Sequence, residues 1–343
     1  MKKSILSLLL VFALMAGMLI LPGCGANTPE NPDPDTPPSS SDVPPSSSDV
    51  PPSSSDVPPS SSEVPPSSSE VPPSSSQVPP SSSETPPVTP PPAGSNDEPI
   101  GSLYTRGELM AMNNTATGFG PGTAKNGAPA AHLTSYQNAY GKYNADFYVP
   151  NDNKIYLTFD CGYEHTDPVT GVRQTEKILD VLKEKNVKAV FFVTEWYCKS
   201  AADLVRRMID EGHTVGNHTS DHLSIPDISI DRAVEDIMSL HDYVKEHFNY
   251  TMTLFRFPSG NFSERGMALV QSLGYKSVFW SFAYKDWVVD DQPGIEWSKQ
   301  KILDCAHSGA IYLLHAVSTT NASIMGDIID GFIEKGYEIG EYK

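Results

Sequence analysis

The sequence predicts an α/β barrel of about seven parallel strands at the end of a long extended tether. Three observations carry this. Strand-like and helix-like segments alternate along residues 154–343, and such alternation builds parallel sheets. The strand segments, such as VKAVFFVT and AIYLLH, are nearly all apolar, as strands covered on both faces are. No Gly-rich phosphate turn follows the first strand, so a closed barrel fits better than a dinucleotide-binding sheet.

The elements follow in order. Residues 1–24 carry Lys2 and Lys3 and then an apolar run ending Leu21-Pro22-Gly23-Cys24, a secretory signal pattern. Ile5 to Leu21 is near spanning length, which leaves a transmembrane anchor as the alternative. The ending resembles a lipoprotein lipobox, with Pro22 as a departure, and implies lipidation of Cys24. Two or more acyl chains there would anchor the chain stably to a membrane. Either way the remainder is expected outside the cytoplasm, on the cell-wall side.

Residues 25–96 form a low-complexity linker. The unit PPSSSDV, with small variations, recurs seven times from Pro37 to Thr85. Paired prolines forbid a heptad helix and favour polyproline II. The tether could therefore span about 200 Å at ~3 Å per residue. It is too poor in apolar residues to build a core. Residues 25–100 hold eleven acids and no Lys or Arg, so of the net −18 only −9 belongs to residues 101–343. That balance, with no basic stripe, excludes nucleic acid as a partner. A monomer is expected. Besides Cys24 there are Cys161, Cys198 and Cys305. Three thiols signal no disulfide framework and leave one bridge, such as Cys198–Cys305, open.

Residues 97–153 read as an irregular extension packed on the domain that follows. From there KIYLTF (154–159) is a strand and QTEKILDVLKEKN (174–186) a helix with Ile178, Leu179 and Leu182 on one face. VKAVFFVT (187–194) is a strand, and AADLVRRMIDEG (201–212) a helix closed by Gly212. HTVGNH is a short strand, and residues 231–248 a long helix with Asp231 as N-cap. TLFRFP, a capped helix over 263–274, YKSVFWS, a helix from Trp297, AIYLLH and a last helix before YEIG complete the series.

In parallel α/β folds chemistry sits at the C-terminal ends of strands. Here those ends carry Asp160-Cys161, Asn217-His218 with His222, Arg256, Asp286-Trp287 and His315. Each has an ordinary reading: a core histidine, a surface ion pair, a helix cap. His213 takes that reading, as a buried histidine at a strand start. His218 and His222, four apart, would share one face of a helical turn and could hold one metal ion. Arg256 could pair a buried carboxylate and lower its pKa. Asp286 could orient a histidine, with the Trp287 indole walling a pocket.

The ordered set TFDCG, HTSDH, RFPSG, DW and LLH resembles the polysaccharide deacetylases of the NodB-homology type, carbohydrate esterase family 4. LTFDCGYE and VFWSFAYKDW resemble the branch containing the muramic-δ-lactam-forming peptidoglycan deacetylases. The resemblance covers residues 154–343, and more loosely from about 97. It implies a distorted barrel and metal-assisted N-deacetylation, a hydrolysis of linear amides. By position it implies Asp160 as general base, His315 as general acid, Arg256 holding the base, Asp286 tuning the acid, and His218 and His222 as ligands of a divalent metal. Zinc is expected, with cobalt or manganese open. Tyr163, Pro258, Gly260, Trp287 and Leu313 match the substrate-binding surface, with a backbone N–H near Pro258–Gly260 facing the oxyanion. Trp280 could also stack on a sugar, or simply pack the core.

The departure is Cys161, where the usual motif has a second Asp as third ligand; the lactam-forming branch commonly has Asn. Three readings stay open: a thiolate completing a Cys-His-His site, a bystander, or the nucleophile of a Cys–His hydrolase. The expected partner is a peptidoglycan glycan strand, with N-acetylmuramic acid first, N-acetylglucosamine second and acetylated xylan third. A wall-binding module without turnover is the reading of another class.

Overall fold

A computed structural model describes residues 94–343. The signal segment, Cys24 and the repeat tether lie outside the described residues. Among the described residues no helix is long and apolar enough to cross a membrane.

The chain runs β1 (Pro99–Ile100), β2 (Tyr104–Thr105), α1 (Arg106–Ala111), β3 (Thr117–Gly118), α2 (Ala131–Tyr140) and β4 (Ala145–Asp146). It continues β5 (Lys154–Cys161), α3 (Gln174–Glu184), β6 (Val190–Val193), α4 (Glu195–Ser200), α5 (Ala202–Asp210), β7 (Thr214–Asn217) and α6 (Ile230–Phe248). Then come β8 (Leu254–Phe255), β9 (Asn261–Phe262), α7 (Glu264–Ser272), β10 (Lys276–Val278), α8 (Ile295–Asp304), β11 (Ala310–His315), α9 (Thr319–Glu334) and β12 (Glu338–Ile339).

The main sheet has the order β11-β5-β6-β7-β8-β10-β4, with β12 pairing the start of β5, and every pair is parallel. Beyond β10 the chain crosses toward the opposite edge, where Phe282 bridges Tyr312 of β11. That single bridge is where the ring of strands meets itself, which makes it a distorted barrel. The expected fold is the one observed. β5 and β11 supply the most complete pairing, six consecutive residues from Ala310↔Ile155 to His315↔Asp160.

Local chemistry explains the boundaries. α6 is capped by Ser229, whose side chain accepts from Arg232 N–H, and it ends on Asn249 at φ 53°. The expected cap, Asp231, lies instead in the first turn, where a carboxylate favours the helix dipole. α3 buries Ile178, Leu179 and Leu182 as the periodicity requires.

The segment before the barrel is more ordered than its sequence suggests. It holds α1, with a Thr105/Glu108 capping box, and α2. β4 joins the main sheet beside β10, and β3 pairs β9. Its aromatics seal it to the barrel: Phe147 stacks on Phe279 at 4.3 Å between ring centroids, and Phe119 meets Phe279 and Trp280 edge-on. Weak periodicity concealed this, because two-residue strands and a Tyr-rich helix leave little pattern to read.

Candidate active site

The site forms at the C-terminal rim, and strand register assembles it. Thr158 and Asp160 are two apart on β5 and so project to one face. Register places His315 of β11 against Asp160 on one side and Phe192 of β6 on the other. Leu313, two before His315, stands against Thr158. Gly216 of β7 is opposite Phe192, and a Cβ there would meet the Phe192 ring at 2.5 Å, so glycine makes room for that ring.

Arg256, just past β8, fills the space beneath Asp160. It is fully buried. Its Nη1 donates to Asp160 Oδ1 at 2.8 Å, its Nη2 to Thr158 Oγ1 at 2.8 Å, and its Nε to the Val278 carbonyl at 3.0 Å. The guanidinium lies 4.1 Å over the Phe192 ring and 5.6 Å from the Trp280 ring. Burial alone would push the Asp160 carboxyl up. The charge of Arg256 and those of His218 and His315, with the Arg256 hydrogen bond, outweigh it and hold the carboxyl below its ordinary value.

His218 follows β7. Its Nδ1 lies 2.9 Å from the Arg256 carbonyl, a group that only accepts, so Nδ1 carries the proton and donates. Nε2 is then a lone pair, and it faces Asp160 Oδ2 at 3.5 Å. The His218 and His222 rings stand 4.8 Å apart at 76°. Burial depresses both, His218 to about 4, so both rings are neutral near pH 7. The pair does not share a helical turn as expected. Residues 218–222 form a loop with Thr219 and His222 at positive φ, 66° and 55°. Asn217 Oδ1 accepts from Thr219 N–H, Thr219 Oγ1 from His222 N–H, and the buried Asp236 from Asp221 N–H. These bonds hold a conformation that side chains otherwise resist.

Two acceptors, Nε2 of a neutral imidazole and a carboxylate oxygen, face each other across the site. Such a pair is repulsive unless a cation lies between them. With a second neutral imidazole alongside, the donor set fits a divalent metal ion. Cys161 does not belong to it. Asp160 faces Arg256 and His218, so its neighbour on the strand projects to the opposite face. There the thiol is fully buried, and burial, then the charges of Glu164, Asp160 and Cys198, push its pKa well up. Among the described residues no three His, Cys, Asp or Glu side chains are already drawn together as a metal-holding group, which holds for Asp160, His218 and His222 as much as for Cys161. A buried thiol on the face of β5 away from Asp160 favours the bystander reading over those of ligand and nucleophile. Cys161, Cys198 and Cys305 are all free, so the open Cys198–Cys305 bridge is absent.

On the other wall, His315 Nδ1 meets Asp286 Oδ1 at 2.6 Å, and His315 N–H donates to Asp286 Oδ2 at 2.9 Å. Asp286 is fully buried while the His315 side chain keeps 23 % of its exposure. Burial lowers the imidazole pKa, but the Asp286 charge and hydrogen bond reverse this and leave it raised. Trp287 lies 5.3 Å from the His315 ring, and Tyr163 Oη donates to the Trp287 carbonyl at 2.5 Å. Both aromatics are nearly half exposed, at 45 % and 43 %. Of the backbone expected to face the oxyanion, Pro258 has no N–H and the Gly260 N–H donates to the Phe257 carbonyl at 3.0 Å, which leaves the N–H of Ser259 between them. Gly260 adopts φ +67° with the Trp280 ring where a Cβ would be, so its glycine is structural. Leu313 is buried beside Thr158. His213 is a core histidine, as expected, accepting from Ala189 N–H.

Sequence reasoning missed Thr158, Phe192 and Asp236, and named Asn217 as a strand end without its role in holding the loop that follows. Thr158 was open to it, two residues before Asp160. A cavity of about 610 Å³ lined by Lys125, Leu303 and Tyr337 lies at the opposite end of the strands and holds none of the side chains described above.

Residues 148–278 match the family model described as polysaccharide deacetylase. The peptidoglycan-N-acetylmuramic acid deacetylase PdaA of Bacillus subtilis is 39% identical over 199 residues, 57% of this chain and 73% of that protein. The chain belongs to the polysaccharide deacetylase family. A solved PdaA structure, described as a family 4 carbohydrate esterase, superposes with a TM-score of 0.59 at 34% identity, covering 66% of this chain and 95% of that one. A family 4 carbohydrate esterase from Bacillus anthracis gives 0.54 at 36% identity, over 67% and 96%. A peptidoglycan-N-acetylglucosamine deacetylase of Bacillus cereus is 31% identical over 170 residues, 49% of this chain and 75% of that protein. The deacetylase family fixes the reaction class as amide hydrolysis on a polysaccharide, and its members are generally metal-dependent.

Proposed function

We propose that this deacetylase removes the N-acetyl group from a sugar of peptidoglycan, with Asp160 as general base and His315 as general acid. One observation carries the reading: strand register sets Asp160 and His315 opposite each other at one rim, the carboxyl held below its ordinary pKa by Arg256 and the imidazole held above its own by Asp286. At neutral pH the first is poised to accept a proton and the second to give one. Environments driven apart in this way are how acid and base are told apart.

An acetamide has a weak electrophile and a poor leaving group, so both ends need help. Asp160 Oδ1 is held by Arg256, which leaves Oδ2 turned to the open site. Oδ2 takes the proton of the attacking water. His315, with Nδ1 fixed by Asp286, presents Nε2 to the departing amine and protonates it. His218 and His222 would hold the metal, for which zinc suits two imidazoles, and when bound it supplies Lewis-acid polarisation of the amide carbonyl. Trp287 and Tyr163 offer faces on which a sugar ring can stack.

Similarity to PdaA supports N-acetylmuramic acid as the substrate; the Bacillus cereus relative supports N-acetylglucosamine as the second. A glycan outside the cell fits a lipid anchor at Cys24, a long tether and action on the wall side of the membrane. The test is mass spectrometry of muropeptides treated with purified protein and Zn²⁺. An acetyl-sized loss mapped to the muramic residue, with free acetate, is expected. Loss on the glucosamine residue would move the assignment to the second sugar. Binding to the wall without acetate would make the chain a non-catalytic module.

A further inference from the structure

The donors on Asp286 do not end with His315. Asn321 sits in the first turn of α9, fully buried, its N–H capped by Ser318 Oγ at 3.0 Å. Its Nδ2 donates to Asp286 Oδ2 at 2.6 Å and to the His315 carbonyl at 3.2 Å. Its Oδ1 accepts from Tyr284 Oη at 2.5 Å. The amide orientation is fixed by these partners, because a flip would set Oδ1 against a carboxylate and a carbonyl. Tyr284 is itself buried, two residues before Asp286, with its ring 6.1 Å from Trp297 of α8. Asn321 thus ties together the end of β11, the loop bearing Asp286 and the start of α9.

We propose that Asn321, backed by Tyr284, is a positioning residue that fixes the Asp286 carboxylate so that His315 presents its Nε2 to the leaving amine. The proposal rests on the deacetylase reading above. Asp286 has two oxygens and three donors, and only one donor comes from the imidazole. Without the Asn321 amide, Oδ2 keeps only the His315 N–H, and the carboxylate can turn about its Cβ–Cγ bond away from Nδ1. The loss falls on the step that needs a proton donor and leaves substrate binding in place.

The test uses two substrates that differ in that need. An N-acetylated muropeptide releases an amine that must be protonated; 4-nitrophenyl acetate releases a phenolate that need not be. Asn321→Leu keeps the volume and removes the amide; Tyr284→Phe removes one hydroxyl and serves if the first variant does not fold. For Asn321→Leu we expect kcat on the muropeptide to fall about 10- to 100-fold, a part of what a general acid is worth. KM and aryl-ester hydrolysis should stay within about twofold of the parent. Tyr284→Phe should lose severalfold with the same selectivity. Equal losses on both substrates, or an unchanged muropeptide rate, overturn the positioning role. If the parent protein releases acetate from the aryl ester but from no N-acetylated glycan, the deacetylase reading falls and takes the acid role of His315 with it.

Discussion

The two walls of the groove solve opposite problems by one device. On the base wall the working group, Asp160, retains 8 % of its exposure and its partner Arg256 none. On the acid wall His315 is half-buried and its partner Asp286 is sealed. In each case the charge that sets the pKa is fully buried and held by several hydrogen bonds, while the titrating group reaches the groove. A buried charge interacts strongly and is screened by salt much less than an exposed one. The walls differ in construction. Arg256 spans the barrel and binds groups from β5 and from residues 278–279. Asp286 is held by residues 315 and 321, only six apart in the chain. Damage on the base wall should therefore cost stability as well as rate, and damage on the acid wall chiefly rate.

The largest effect expected is from Asp160→Asn. It removes the proposed base, worth about 10²–10⁴-fold, and also the carboxylate facing Nε2 of His218. Acetate release should fall to background, and zinc affinity measured by calorimetry should weaken. An active Asp160→Asn variant would dissolve the comparison, because the base wall would have no base.

Arg256→Met comes next. Breaking a buried pair from one side leaves Asp160 uncompensated, which costs about 3–5 kcal/mol. A large fall in the urea midpoint should accompany the loss of activity. Asp286→Asn should lower kcat with a smaller change in that midpoint. If the two variants lose equal stability, the contrast between a guanidinium that spans the barrel and a carboxylate held at one strand end is wrong.

Asp286→Asn also makes a pH prediction. In the proposed reaction His315 acts protonated, and its raised pKa keeps it so up to a higher pH than a free imidazole. Removing the anion lowers that pKa, so the alkaline limb of kcat should move to lower pH. The sign applies to stability too: the His315–Asp286 contribution is complete below the unfolded pKa and fades as pH rises through the folded one. A limb that stays in place would show that another group sets it.

The barrel was legible because apolar strands alternating with amphipathic helices are a strong pattern; each strand-end residue has an ordinary reading by itself, and only their ordered set pointed to one site with two walls. What stayed hidden depended on three-dimensional detail. Residues 218–222 carry helical spacing but form a loop, because Asn217, Thr219 and Asp236 supply its hydrogen bonds from outside any periodic pattern. Asn321 looks in sequence like any residue in a first helical turn. The extension over 97–153 hides β4, since a two-residue strand is specified by its neighbours.

Cys161 gives the smallest effect and the clearest test of which side of the strand matters. In sequence Asp160 and Cys161 are neighbours at one strand end; pleating separates them onto the two faces of β5. Cys161 packs on the helix side, with a thiol pushed far from ionisation. Cys161→Ala removes one buried sulfur and should cost about 1 kcal/mol or somewhat more, in proportion to the small cavity left. The kcat on muropeptide and the zinc dissociation constant should stay within about twofold, since neither the base nor the imidazoles touch the sulfur. A zinc affinity that drops tenfold, about 1.4 kcal/mol, would place the thiolate among the ligands. It would mean that metal binding turns the end of β5 so that both of its last side chains face the groove.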